Sequence, residues 1–157
     1  METKDWIMLI IPIVANGFVI FIFQKLFEKR LKEITKRQDI RDKVLYTFWE
    51  KLQSLNDSFI QLNIQSRNDP SIAENCISIF GPQVFEIARY YDTNKYDLKI
   101  FERNFNELQN TWNEFNSIWY SYANKSLTSE MKINLGHKLQ LVKTANLELI
   151  DEVRKKY

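Results

Sequence analysis

A chain of 157 residues with 45% hydrophobic, 14% aromatic and 27% charged residues has enough apolar surface for one packed domain, which excludes a disordered chain. Three glycines and three prolines supply little turn chemistry, so the composition points to an all-α protein. The net charge of +2 is too balanced to mark a nucleic-acid binder by itself, and the single cysteine, Cys76, excludes an intramolecular disulfide.

Residues 1–5 form a short tail, and Trp6 to Phe23 then runs without one charged residue. At about 1.5 Å of rise per residue this stretch covers roughly 27 Å, close to the thickness of a bilayer hydrocarbon core. A single transmembrane helix over 6–25 is expected, retained rather than cleaved. Met1–Asp5 is no basic leader, and no small-x-small site separates the apolar run from Lys25. Ahead of Trp6 stand Glu2 and Asp5 against Lys4, whereas Gln24 to Thr47 holds eight Lys or Arg against four acids. The positive-inside rule therefore places the N-terminus outside and the rest in the cytoplasm, at a bacterial inner membrane. Trp6 would mark the outer interface, with Lys25, Lys29 and Arg30 at the inner headgroups of the lipid bilayer. Asn16 falls near mid-membrane beside Ala15 and Gly17, with Pro12 one turn earlier on its face. Pro12, Asn16 and Gly17 are thus candidates for helix association or a pore lining, the alternative being an Asn16 amide bonded back to its own helix.

Between Gly17 and Pro70 there is neither Gly nor Pro, so the helix is expected to continue. Phe27, Leu31, Ile34, Gln38, Arg41, Leu45, Phe48, Leu52, Leu55, Phe59 and Leu62 alternate 4-3, interrupted only by Gln38 and Arg41. Residues 26–43 read as a basic juxtamembrane neck and 44–157 as a cytoplasmic helical bundle. From Val44 the stripe widens to take in Trp49 and Ile60, as in a helix that joins a bundle.

Asp69-Pro70 reads as a helix start, with Ile72, Ala73, Cys76, Ile77 and Phe80 on one face. Gly81-Pro82 is expected to break this member, which resumes with Val84, Phe85, Ile87, Ala88 and Tyr91. Cys76 reads as a small core residue, because no base or metal ligand stands at a recognisable spacing from it. A third helix carries Leu98, Phe101, Phe105, Leu108, Trp112, Phe115, Trp119 and Tyr122 at 3-4 spacing. Phe105, Trp112, Phe115 and Trp119 form a seam for core packing or for contacts between copies. The residues between them are Asn, Glu and Gln, which argues against base stacking, so no direct nucleic-acid binding is expected. Ser126 to Glu130 caps a last helix through Met131, Leu135, Leu139, Val142, Leu149 and Val153, with Gly136 taken as a point of close packing. Asp151 with Lys155, and Glu152 with Lys156, are spaced as i,i+4 pairs. The four members, 44–66, 70–92, 95–124 and 128–156, have short connections and suit an up-down four-helix bundle.

No residues stand out as a catalytic or metal-binding set, and no cofactor is implied. There is one histidine, no Glu-x-x-His, no Cys-x-x-Cys and no Gly-rich strand-helix turn. His137 falls off the Leu135–Leu139–Val142 seam and reads as a surface or capping residue.

One membrane helix followed by a compact helical bundle resembles the HEPN-like membrane accessory proteins encoded beside the RNA-targeting effector of type VI-B CRISPR systems. The resemblance covers the whole chain at the level of architecture. HEPN ribonucleases are similar bundles whose signature is an Arg, four to six residues, then His. Here the nearest match is Lys132-Ile133-Asn134-Leu135-Gly136-His137, with Lys in place of Arg. In a regular helix Lys132 and His137 point about 140° apart. Lys132, Asn134 and His137 are therefore the only candidates the resemblance offers for catalysis, and the ribonuclease motif is degenerate. The resemblance implies a homo-oligomer that forms a membrane pore, weakens the membrane and enhances anti-phage defence, functionally linked to an RNA-guided effector. A single-pass adaptor that recruits a cytoplasmic partner through its bundle is the alternative, followed by a membrane-bound ribonuclease and a holin-like lysis factor.

Overall fold

A computed structural model describes the backbone of residues 3–68, 76–122 and 128–156, and the side chains of 20–63, 76–122 and 128–156. Among the described residues the chain is entirely helical. Helix α1 spans Thr3–Asn68, α2 Cys76–Thr93, the single turn α3 Lys95–Leu98, α4 Glu102–Tyr122 and α5 Ser129–Arg154, with a 3₁₀ turn at Lys99–Phe101 before α4. The chain divides into two compact units, Met1–Arg41 and Asp42–Tyr157.

In the first unit the described side chains, from Ile20 onward, are all exposed. Among the described residues no helix is long and apolar enough to cross a membrane. The side chains of the Trp6–Phe23 stretch lie outside the described ones except for Ile20 to Phe23.

In the second unit α1 continues from Asp42, and the 4-3 stripe becomes the core: Leu45, Phe48, Leu52, Leu55, Phe59 and Leu62 are buried. Helix α2 lies antiparallel to it, since Gln83 Nε2 donates to Ser58 Oγ at 2.7 Å while Tyr90 Oη donates to the Val44 carbonyl at 3.3 Å. Helix α4 packs on α2 through Tyr91 on Phe105 and through Trp112 beside Gly81. Helix α5 returns along α4 through Lys138 to Glu114 at 2.8 Å and Asn134 to Tyr122 at 3.2 Å. It closes on α1 where Asn146 Nδ2 donates to the Leu52 carbonyl at 3.0 Å. These contacts define an up-down four-helix bundle.

Several local expectations change. Helix α2 runs through Pro82 without a break. Proline has no N–H to offer the turn before it, where Ser78 lies exposed. The long aromatic helix is split near its start, because i and i+3 eclipse in a 3₁₀ turn and this turn sends both Leu98 and Phe101 into the core. Phe85 is 66% exposed and Ile60 is exposed as well: each follows a buried residue, Val84 or Phe59, and the extra 100° of rotation carries it out of the core. Neither Asp151 with Lys155 nor Glu152 with Lys156 closes an ion pair among the described residues. Instead Glu152 turns one carboxylate oxygen inward, without a hydrogen-bond partner. The Asp69–Pro70 start, Ile72 and Ala73 lie outside the described residues. Within the Ser126–Glu130 stretch read as the cap of α5, Thr128 is the N-cap, its hydroxyl accepting from the Met131 N–H at 3.3 Å.

Gly136 corrects the expectation of close packing. It is exposed, and a Cβ built there meets nothing within 4 Å. Its φ is not positive, so the residue only adds backbone freedom to the unfolded chain. Gly136→Ala should raise stability by about 0.5–1 kcal/mol. Denaturant unfolding of the full chain in mild detergent, followed by tryptophan fluorescence, checks this; a loss of stability would mean that the α4–α5 end is packed more tightly than described.

Candidate functional site

The seam of α4 is spent on the core of its own chain. Phe105 and Phe115 are buried, and Trp112 and Trp119 pack against the core with part of each indole outside. Trp112 and Trp119 flank Phe115 at 5.5 and 6.4 Å between ring centroids.

Lys132, Asn134 and His137 do not converge. Lys132 and His137 are exposed, while Asn134 is half-buried and donates its amide to Tyr122 Oη. The residue next to His137, Lys138, is held by Glu114 on α4. Two side chains on separate sides of α5 and a third tied to a tyrosine give no shared position for a scissile phosphate.

Cys76 opens α2 at a cleft of about 250 Å³, which is also lined by Phe59, Leu62, Asn63, Gly136, Leu139, Gln140 and Lys143. Burial pushes its thiol up to about 11, a shift partly offset by a backbone hydrogen bond. A thiol kept protonated is a poor nucleophile. Tyr91 is raised as well, first by burial and then by the negative charges of Glu102 and Asp92, and its buried hydroxyl has no hydrogen-bond partner. Among the described residues no three His, Cys, Asp or Glu side chains gather as metal ligands.

Sequence reasoning passed over Asn146, the one fully buried polar side chain among the described residues. Its position was legible: it lies four residues after Val142 and three before Leu149, on the seam of α5. It ties α5 to α1 with one amide hydrogen and leaves Oδ1 without a partner.

In the first unit Lys25, Lys29 and Arg30 are exposed, and the Lys25 ammonium sits over the Phe21 ring at 5.8 Å from its centroid. Lys25, Lys29, Lys32 and Lys36 follow one another along one side of the helix. The side chains of Trp6, Pro12, Asn16 and Gly17 lie outside the described ones. No protein-family model matches the chain, and neither curated proteins nor solved structures give a match.

The raised thiol makes a prediction with a definite sign. A neutral acid held above its unfolded value favours the folded state below pH 9, and that contribution is lost as pH rises from about 9 towards 11. At pH 8 the folded chain should therefore react with iodoacetamide at Cys76 roughly 100-fold more slowly than the unfolded chain. Mass spectrometry of the alkylated protein reads this directly, and comparable rates would show that the thiol is open to solvent.

Proposed function

We propose that the chain is a single-pass protein of the bacterial cytoplasmic membrane, with Trp6–Phe23 spanning the bilayer and the bundle inside the cell. It assembles as a homo-oligomer around the membrane helix and opens a pore that weakens the membrane. Following its resemblance to the accessory proteins of RNA-targeting CRISPR systems, the proposed outcome is stronger anti-phage defence beside an RNA-guided effector. One observation carries the reading: an uncharged stretch of eighteen residues leads into a helix whose basic flank is fully exposed. The absence of a charge from Trp6 to Phe23 suits hydrocarbon, and Asn16 within it favours helix association over an isolated anchor.

The adaptor reading draws on the bundle surface, where Tyr96 is 95% exposed and Phe85 and Tyr120 also face outward. These rings are spread one to a helix segment, which favours the oligomer. A ribonuclease reading has only the separated Lys132 and His137 to offer.

The full chain in mild detergent should have a particle mass above that of a dimer and, reconstituted in liposomes, should release a trapped dye. Asn16→Leu should slow this release on the order of tenfold. A monomer that leaves liposomes intact would overturn the pore and favour the adaptor.

A further inference from the structure

We infer that the exposed apolar line of the juxtamembrane helix is a docking surface for further copies of this chain, arranged parallel and in register, in an assembly larger than a dimer. The inference deepens the reading of the chain as a membrane-anchored oligomer and rests on it.

The aromatic seam of α4 packs on its own bundle, with Phe105 and Phe115 buried there. In the first unit the line remains unpartnered. Phe27, Leu31 and Ile34 are all at least half exposed, flanked by Gln24 and Gln38 at the same spacing. In heptad terms Gln24, Leu31 and Gln38 occupy a positions, and Ile20, Phe27 and Ile34 occupy d positions. Lysines 25, 29, 32 and 36 fall at b and f, on the side away from the seam. That is the arrangement of a helix with one face committed to another helix and one to solvent or headgroups.

Charge and polarity choose the orientation. One edge of the seam is basic, with Arg30 and Arg37 at g, and the other carries Glu28 at e. All three are exposed, and none is in an ion pair among the described residues. In a parallel assembly the basic edge of each copy runs beside the e edge of its neighbour, so like charges are kept apart. Gln24 and Gln38 then meet their own counterparts, amide to amide. The antiparallel pairing that aligns the same seam puts Gln24 against Ile34 of the other copy and Gln38 against its Ile20. It also brings Arg30 to Arg30 and Glu28 to Glu28. Parallel packing pairs the buried amides instead of setting them against isoleucine, and it avoids the like charges. Leucine at a with isoleucine at d, as in Leu31 and Ile34, favours three or more strands over two.

The test is disulfide cross-linking of the full chain in mild detergent. Wild type, whose one cysteine is buried, sets the baseline. Ile34→Cys places a thiol in the seam and Lys36→Cys places one on the outer face. Under copper-catalysed oxidation Ile34→Cys should give at least about fivefold more linked dimer than Lys36→Cys, since a disulfide needs Cβ atoms about 4 Å apart. A particle mass above that of a dimer should accompany it. An oligomer of that mass with equal linkage at the two sites would overturn the seam while leaving the pore reading standing. Linkage that appears only on mixing Ile34→Cys with Gln24→Cys would overturn the parallel orientation. A monomer with no linkage would sink both the seam and the oligomer, and would assign the apolar line to the lipid surface.

Discussion

Tyr91 lies almost flat on Phe105 at 3.7 Å between ring centroids, and Phe48 closes on Tyr91 at 6.1 Å and on Phe101 at 6.3 Å. Rings from α1, α2, the 3₁₀ turn and α4 thus share one layer, and α5 adds the buried Leu149 and Val153 to the same core. Aromatic pairs in such a layer bring both a large buried area and a preferred geometry, so they fix how the four helices meet. Much of the rest follows. Once Tyr91 is turned into the layer its hydroxyl is cut off from water, and the acids around it raise its pKa further. The Tyr90 ring beside it faces outward enough to lie under the Lys51 ammonium at 5.6 Å, and its hydroxyl reaches the Val44 carbonyl.

Among the described residues the same layer brings no set of polar groups together inside the bundle. Catalytic groups need to converge on an accessible place, with their pKa values moved towards working range. Here the side chains inside are nearly all hydrocarbon or aromatic. Asn146, the one fully buried polar side chain among the described residues, is bound to a backbone carbonyl, and the one thiol is pushed away from reactivity. Among the described residues the ion pairs Lys51–Glu86, Arg89–Glu86 and Lys138–Glu114 lie at or near the surface, where each contributes at most about 1 kcal/mol. Lys51–Glu86 and Lys138–Glu114 tie neighbouring helices, whereas Arg89–Glu86 lies within α2.

How much of this was legible in the chain depended on what kind of signal a feature leaves. The core face of α1 could be read residue by residue, because Leu45 to Leu62 keep strict 4-3 spacing and both neighbouring helices are met along that one line. Phe85 and Ile60 could not be placed, since a run of adjacent apolar residues fixes a helix but not which of them faces inward. The direction of α2 through Pro82 was hidden for a different reason: whether proline breaks a helix depends on what surrounds the turn before it, and the local sequence does not say. Gly136 reads the same way in the sequence whether it marks a tight contact or an open surface; only its neighbours distinguish the two. Of the candidate site, the separation of Lys132 from His137 was legible from helix geometry alone, whereas the loss of Asn134 to Tyr122 required the partner helix.

The apolar line of the first unit is short, and its size says what kind of assembly it suits. Phe27, Leu31 and Ile34 with their flanking glutamines amount to about two heptads, well below the 1,200 Å² or so that a stable interface in water buries. Alone, such a seam would be weak. Under the proposed membrane anchoring it need not be strong, because confinement of Trp6–Phe23 to a bilayer would remove most of the rotational freedom that association costs and raise the local concentration of copies. Gln24 and Gln38 fit this division of labour. Amides in a seam lower its stability and restrict its register, a poor exchange for a helix that must associate unaided and a useful one for a helix held beside its neighbours by the membrane.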